Sequence, residues 1–272
     1  MKKRFPFPLL FAAQVALAAA PAQDTTNPPV PPPTAAIKLG TGFDYSSGDY
    51  GFSQNTEVFA IPVNFAYEEQ RWALRATWPF LTIKGPATIV AGSATSSPGT
   101  TSTGAPGRPV TGSESGLGDL QVSATYHFHP VPGELNFDLT GRLKLPTADE
   151  DKGLGTGKTD FYAQADIYQA FDRFVPFATL GYRFLGRSTF YPLKDGPYTS
   201  AGVSYRMTAT TVVGGAFDWR SKIVVGAQDA TDALGFVSTN LSDRLNLLGY
   251  ALVGFNEAAP DYGLGGSVTY KF

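Results

Sequence analysis

The sequence has no cysteine in its 272 residues, only two histidines and two methionines, and a charged fraction of just 16%. Without cysteine there is no disulfide framework, no lipid-anchored thiol and no Cys-based metal site. Beyond residue 22 there is no run of about 18 consecutive apolar residues, the length a transmembrane helix needs. Basic charge is not in surplus either. Residues 1–22 hold three of the 21 Lys+Arg and none of the 23 Asp+Glu, which leaves 18 against 23 and a net charge of −5. That balance argues against nucleic acid as a partner.

The chain does have an export-type leader. Met1-Lys2-Lys3-Arg4 precedes an apolar run from Phe5 to Ala20, and Ala20-Pro21-Ala22 supplies an A-x-A cleavage pattern. This predicts a signal peptide over residues 1–22 and a mature start at Gln23. Residues 23–35 carry Pro28, Pro29 and Pro31 to Pro33. Such a run favours extended polyproline II and supplies no strand donors, so it reads as a periplasmic linker.

From residue 36 to residue 272 the pattern has period two. Its clearest stretch runs from Gly116 to Thr147. Leu120, Val122, Ala124, Tyr126 and Phe128 alternate with Gln121, Ser123, Thr125 and His127; then Leu135, Phe137, Leu139, Leu143 and Leu145 alternate with Asn136, Asp138, Thr140, Arg142 and Lys144. Alternation over roughly ten residues is a strand with one apolar and one polar face, and soluble strands are usually about five or six residues long. A lipid-spanning strand needs about nine to eleven, tilted near 45°. Similar segments recur about twelve times. Short turns near 69, 130, 173, 208 and 243 alternate with longer loops near 50, 100, 152, 191, 227 and 259. An even strand number with short turns at one end and long loops at the other is the habit of outer-membrane barrels. The fold class is therefore all-β, a transmembrane antiparallel up-and-down β-barrel of about twelve strands with both termini on the periplasmic side. Aromatic residues near strand ends (Trp72, Phe80, Phe128, Phe161, Phe171, Phe174, Phe184, Trp219) supply two interfacial girdles. The segment between Lys84 and Gly116, rich in Gly, Ser, Thr and Pro, reads as a long loop without strands. The alternation is blurred from Leu234 to Phe255.

The polar face supplies the candidate site. If the central hairpin pairs symmetrically about its turn, Asp119 faces Arg142, Ser123 faces Asp138 and His127 faces Glu134, while Lys144 falls near Asp160. Asp119, Arg142, Lys144, Asp160 and Arg183 then cluster in the extracellular third of the lumen. They either neutralise one another or line a constriction that selects solutes by size and field. Both signs occur, so the expected solutes are small neutral or weakly charged organic molecules, with Tyr162, Tyr168, Phe177 and Tyr198 offering inward rings. The last strand ends in Phe272 with Tyr270, Val268 and Leu264 on its lipid face, the form of a signal read by the barrel-assembly machinery. Outer-membrane lipid and lipopolysaccharide complete the expected partners.

Other motifs give bland readings. Gly153-Leu154-Gly155-Thr156-Gly157-Lys158-Thr159 lacks the first glycine of a phosphate loop, since Lys152 stands there, and reads as a flexible extracellular loop. His127 and His129 share a strand face but have no evident third metal ligand. No serine sits in a nucleophile elbow, so no catalytic residue and no cofactor is expected. The rival readings are a barrel hydrolase and an adhesive barrel acting through its loops.

Several stretches, IPVNFAYEEQRWALRATWPFL, SGLGDLQVSATYHF, LTGRLKLPTADEDKGLGTGKTD and the terminal YGLGGSVTYKF, resemble the outer-membrane channels named for the meta pathway of phenol degradation. That family's loop after Leu-Pro-Thr usually continues with Gly, and here Ala148 stands in that place. The resemblance implies a barrel that moves small, often aromatic or hydrophobic compounds, and brings no catalytic residues with it.

Overall fold

The computed structural model describes residues 35–90, 103–106, 112–128, 134–187 and 192–272. The expected signal peptide, the linker up to Thr34, and His129 lie outside them. The strands are β1 (Ala36–Gly48), β2 (Thr56–Glu68), β3 (Trp72–Lys84), β4 (Ala87–Val90), β5 (Thr103–Pro106), β6 (Ser113–Leu117), β7 (Leu120–Phe128), β8 (Leu135–Leu145), β9 (Asp160–Gln169), β10 (Phe174–Phe184), β11 (Gly196–Arg206), β12 (Thr211–Arg220), β13 (Ala230–Asn240), β14 (Leu245–Gly254) and β15 (Tyr262–Lys271).

Neighbouring strands pair antiparallel around a ring, and β1 closes it by pairing with both β2 and β15. β6 and β7 lie end to end against β3, with Phe80–Lys84 pairing β6 and Trp72–Thr77 pairing β7. Counting those two as one stave, the barrel has twelve; β4 and β5 form a separate hairpin. The segment expected to lack strands from Lys84 to Gly116 thus carries β4, β5 and β6. The reason is the wall itself. Without β6 the upper half of β3 would present unpaired N–H and C=O groups to lipid, which closed barrels avoid.

The residues of β8 show how the sequence sorts the two faces. Asn136, Asp138, Thr140, Arg142 and Lys144 are buried inside, whereas Leu135, Leu139 and Leu143 are exposed on the outside. The same rule sends Ile37, Leu39 and Phe43 outward from β1 and keeps Lys38 and Asp44 within. An exposed apolar face around a buried polar one inverts a soluble protein and matches a barrel in lipid. Aromatic contacts gather near both rims. Trp72, Tyr126, Phe128 and Phe137 form a chain with centroid separations of 4.9, 4.8 and 5.2 Å at the short-turn end, and Phe161 and Phe184 stack at 5.8 Å at the long-loop end.

The hairpin register differs from the symmetric one. Ser123 pairs with Arg142 and His127 with Asp138, and the last pair is Phe128 with Phe137. The pairing is therefore centred later than the alternation alone suggests. β13 begins at Ala230, earlier than Leu234. Its loop-side start carries Thr231 and Asp232, and Asp232 forms an ion pair with Arg220 inside the lumen.

Candidate functional site

The lumen has a polar side and an apolar side. From β7 to β9 the inward residues include Ser123, Thr125, Thr140, Arg142 and Asp166, all at or below 9% exposure. From β12 to β14 they include Val212, Leu234, Phe236, Leu248, Tyr250 and Leu252, one continuous buried cluster, with the polar Asp218, Arg220, Asp232, Ser238 and Asn246 toward the ends of the same strands. A second inward cluster joins Tyr168, Val175, Phe177 and Ala216. The blurred alternation of β13 and β14 has this cause: both faces are apolar, one toward lipid and one toward the lumen. Tyr162, Tyr168, Phe177 and Tyr198 are all inward and buried.

The five residues singled out on the polar face divide into two groups. Lys144 Nζ lies 2.9 Å from Asp119 Oδ2, 3.0 Å from Asp160 Oδ2 and 2.9 Å from Thr156 Oγ1, a triad with side chains at most 1% exposed. Asp119 Oδ1 also accepts from the Ala148 N–H at 3.0 Å, and Asp160 Oδ1 from the Gly186 N–H at 2.8 Å. Asp119 reaches this point because the ladder breaks between β6 and β7. There Gly118 donates to Pro79 O at 2.8 Å, while its own carbonyl accepts from Trp78 Nε1 at 3.1 Å and from Thr147 Oγ1 at 3.0 Å. The expected partner of Asp119, Arg142, is not its partner; Lys144 is. Arg142 stands over the Tyr162 ring, 5.0 Å from its centroid, a cation–π arrangement. Arg183, in register with Tyr162, donates to the backbone carbonyl of Ser221.

The triad tethers a loop. The loop expected from Ala148 to Lys158, flexible and outward, turns in at Gly153 and Gly157, whose φ angles are +70° and +62°. Leu154, 1% exposed, packs with Val58, Ala60, Leu81 and Ile83, and Thr156 is fully buried. Two more loop residues close over the other wall: Leu193 and Ile223 pack with Tyr162, Leu185 and Tyr198. Sequence reasoning does not find these inward loop residues. A Leu flanked by glycines, in a loop that also carries Asp149, Glu150 and Asp151, is the signal that was present for Leu154.

At the opposite end, Glu68 is shared by Arg75 (2.7 Å) and Lys38. His127 Nδ1 lies 2.9 Å from Asp138 Oδ2. On β15 Leu264, Val268 and Tyr270 are exposed on the outer face, as is Phe272 just beyond it, and the Phe272 N–H donates to Ile37 O at 3.0 Å.

Three solved structures are similar to this one in fold. The COG4313 outer membrane channel from Pseudomonas putida F1 superposes with a TM-score of 0.64 at 14% identity, over 91% of this chain and 100% of that one. The beta domain of the Bordetella autotransporter BrkA gives 0.50 at 11% identity, over 88% of this chain and 100% of that one. The Pseudomonas putida toluene transporter TodX gives 0.45 at 11% identity, over 98% of this chain and 95% of that one. No curated protein matches the chain. The family model described as MetA-pathway of phenol degradation matches residues 71–272, from the start of β3 to the C-terminus, and the chain, an outer-membrane β-barrel, belongs to that family.

Proposed function

We propose that the protein is a passive outer-membrane channel for small organic solutes, with aromatic compounds preferred. The observation that carries this is the apolar wall inside the barrel, Val212, Leu234, Phe236, Leu248, Tyr250 and Leu252, facing a hydrogen-bonding wall on β7 to β9. A lumen meant only for water and sugars has no use for six buried apolar side chains on its inner face, whereas a flat ring bearing a polar group suits both walls. One structural relative, the COG4313 protein, is named as an outer membrane channel, which supports the reading. The hydrolase alternative would need a serine on His127 Nε2; Asp138 holds His127 Nδ1 as a triad acid would, but among the described residues no serine is hydrogen-bonded to His127. In liposome swelling, phenols should enter several-fold faster than size-matched sugars, and Arg142→Ala should alter the ratio for carboxylates. If no solute moves faster than through protein-free membranes, the channel reading fails. Equal rates for sugars and phenols would remove only the aromatic preference.

The barrel's partners follow from its outer face. The apolar band meets outer-membrane lipid and, in the outer leaflet, lipopolysaccharide. The last strand, ending in Tyr270 and Phe272 with ring centroids 5.0 Å apart, is offered to the barrel-assembly machinery. Deleting Phe272 should lower the yield of heat-modifiable barrel in outer membranes under native expression; unchanged assembly would count against this role.

A further inference from the structure

We propose that Arg183, Arg220 and Ser221 form a binding site for the carboxylate of a small aromatic acid, whose ring lies against Tyr162, Tyr198, Leu193 and Ile223. The proposal deepens the channel reading and rests on it for the reason such an acid reaches the lumen.

Both guanidiniums are fully buried. Arg220 Nη2 pairs with Asp232, but among the described residues Arg183 Nη2 has only the carbonyl of Ser221. The Nε and Nη1 atoms of both arginines, and the hydroxyls of Ser221 and Ser200, are buried with no hydrogen-bond partner among the described residues. Buried guanidiniums are normally matched by carboxylates because an uncompensated ion in a low-dielectric interior is costly. Here, among the described residues, the two cations share one direct carboxylate contact, that of Asp232 with Arg220; Asp218 lies inward two residues from Arg220, and Arg183 has no directly paired carboxylate.

The backbone brings the donors together. Arg183 pairs in register with Gly196 on β11, and Arg220 with Tyr198 two residues further along that strand. A Cβ at residue 196 would lie 2.1 Å from Ser221 Oγ. Glycine there leaves the gap through which Arg183 crosses β11 to reach residue 221, next to Arg220. Two forked guanidiniums and a hydroxyl suit the paired oxygens of a carboxylate. A neutral alcohol offers one oxygen and no charge.

Beside these donors lies the apolar cluster of Tyr162, Leu185, Leu193, Tyr198 and Ile223. Tyr162 pairs in register with both Arg142 and Arg183. Tyr198 packs over Gly181, where a Cβ would come within 2.1 Å of its ring. Charge on one side and two phenol rings with aliphatic residues on the other select an aromatic acid over a short aliphatic one.

The test is calorimetric titration of the full mature protein, refolded in detergent, with benzoate, benzyl alcohol, acetate and inorganic phosphate. Benzoate should bind at least tenfold tighter than benzyl alcohol or acetate. Arg183→Gln should weaken benzoate at least tenfold, and Arg183→Lys should restore part of that loss, keeping charge without the fork. Ser221→Ala should weaken benzoate a few-fold and leave benzyl alcohol unchanged, which keeps the test decisive if Arg183→Gln does not give heat-modifiable barrel. Benzoate binding no tighter than benzyl alcohol, or unaltered in Arg183→Gln, overturns the site. Phosphate or acetate binding as tightly as benzoate overturns the aromatic assignment. Calorimetry needs no transport: a protein that binds benzoate yet passes no solute in liposomes keeps the site and loses the channel.

Discussion

Leu139→Arg is expected to destabilise the refolded barrel in lipid by about 2–4 kcal/mol, and Thr140→Arg by much less. The two residues are neighbours on β8 and point in opposite directions. Leu139 is 43% exposed on the outer face, in the middle of the strand, whereas Thr140 is 9% exposed and faces the lumen. An arginine at 139 must hold its charge in hydrocarbon or snorkel over half the band to a headgroup. One at 140 loses the hydrogen bond between Thr125 Oγ1 and Thr140 Oγ1, at 2.9 Å, worth about 1 kcal/mol. Its guanidinium then extends among lumen acids, with Asp138 and Asp166 in the adjoining inward positions of β8 and β9. Urea titrations of the two variants in the same lipid would measure the difference. Equal costs would mean that the outer face of this strand is not in lipid. The conductance of Thr140→Arg should fall, since the long side chain enters the lumen, and that of Leu139→Arg should not change.

The faces of β8 are legible in the sequence because its two solvents differ: lipid outside and a hydrogen-bonded interior give opposite residue types at alternate positions. Where the interior is apolar, as on β13 and β14, the alternation fades and the strand bounds shift, by four residues at the start of β13. The hairpin register departs from the symmetric expectation because alternation fixes which face a residue takes but leaves shifts by an even number open. Only the place of the turn decides between them. For the site, Lys144 with Asp160 was legible from adjacency on β8 and β9, but the triad also needs Asp119, which depends on the ladder break at Gly118. The inward fold of residues 146–159, and the contact of Arg183 with residue 221 across β11, join positions far apart in sequence. No local pattern encodes such contacts.

Lys144→Met carries the other large expected effect. The substitution keeps most of the side chain's length and removes the charge that Asp119 and Asp160 share. Both carboxylates are then left in an interior where neither is more than 1% exposed. Removing one partner from a buried pair typically costs about 3–5 kcal/mol, because the remaining charge is stranded. The barrel has a way to relieve that cost. Asp119 also holds the Ala148 N–H, and Lys144 holds Thr156, so the beginning and the tip of the loop of residues 146–159 hang on this triad. With it broken, the loop should swing outward, water should reach Asp119 and Asp160, and Leu154 should leave its place against Val58, Ala60, Leu81 and Ile83. Two measurements separate relief from global loss: conductance should rise, and protease should cut between Ala148 and Lys158 in folded, heat-modifiable protein. Neutralising all three groups, with Asp119→Asn, Lys144→Met and Asp160→Asn together, should recover much of the stability, since no charge is stranded, while leaving the loop only loosely held. Leu154→Ala tests the tip alone, at about 2–5 kcal/mol for an apolar side chain truncated in a packed site. If Lys144→Met lowers stability but leaves conductance at the wild-type value, the triad holds the wall together and the loop does not limit passage.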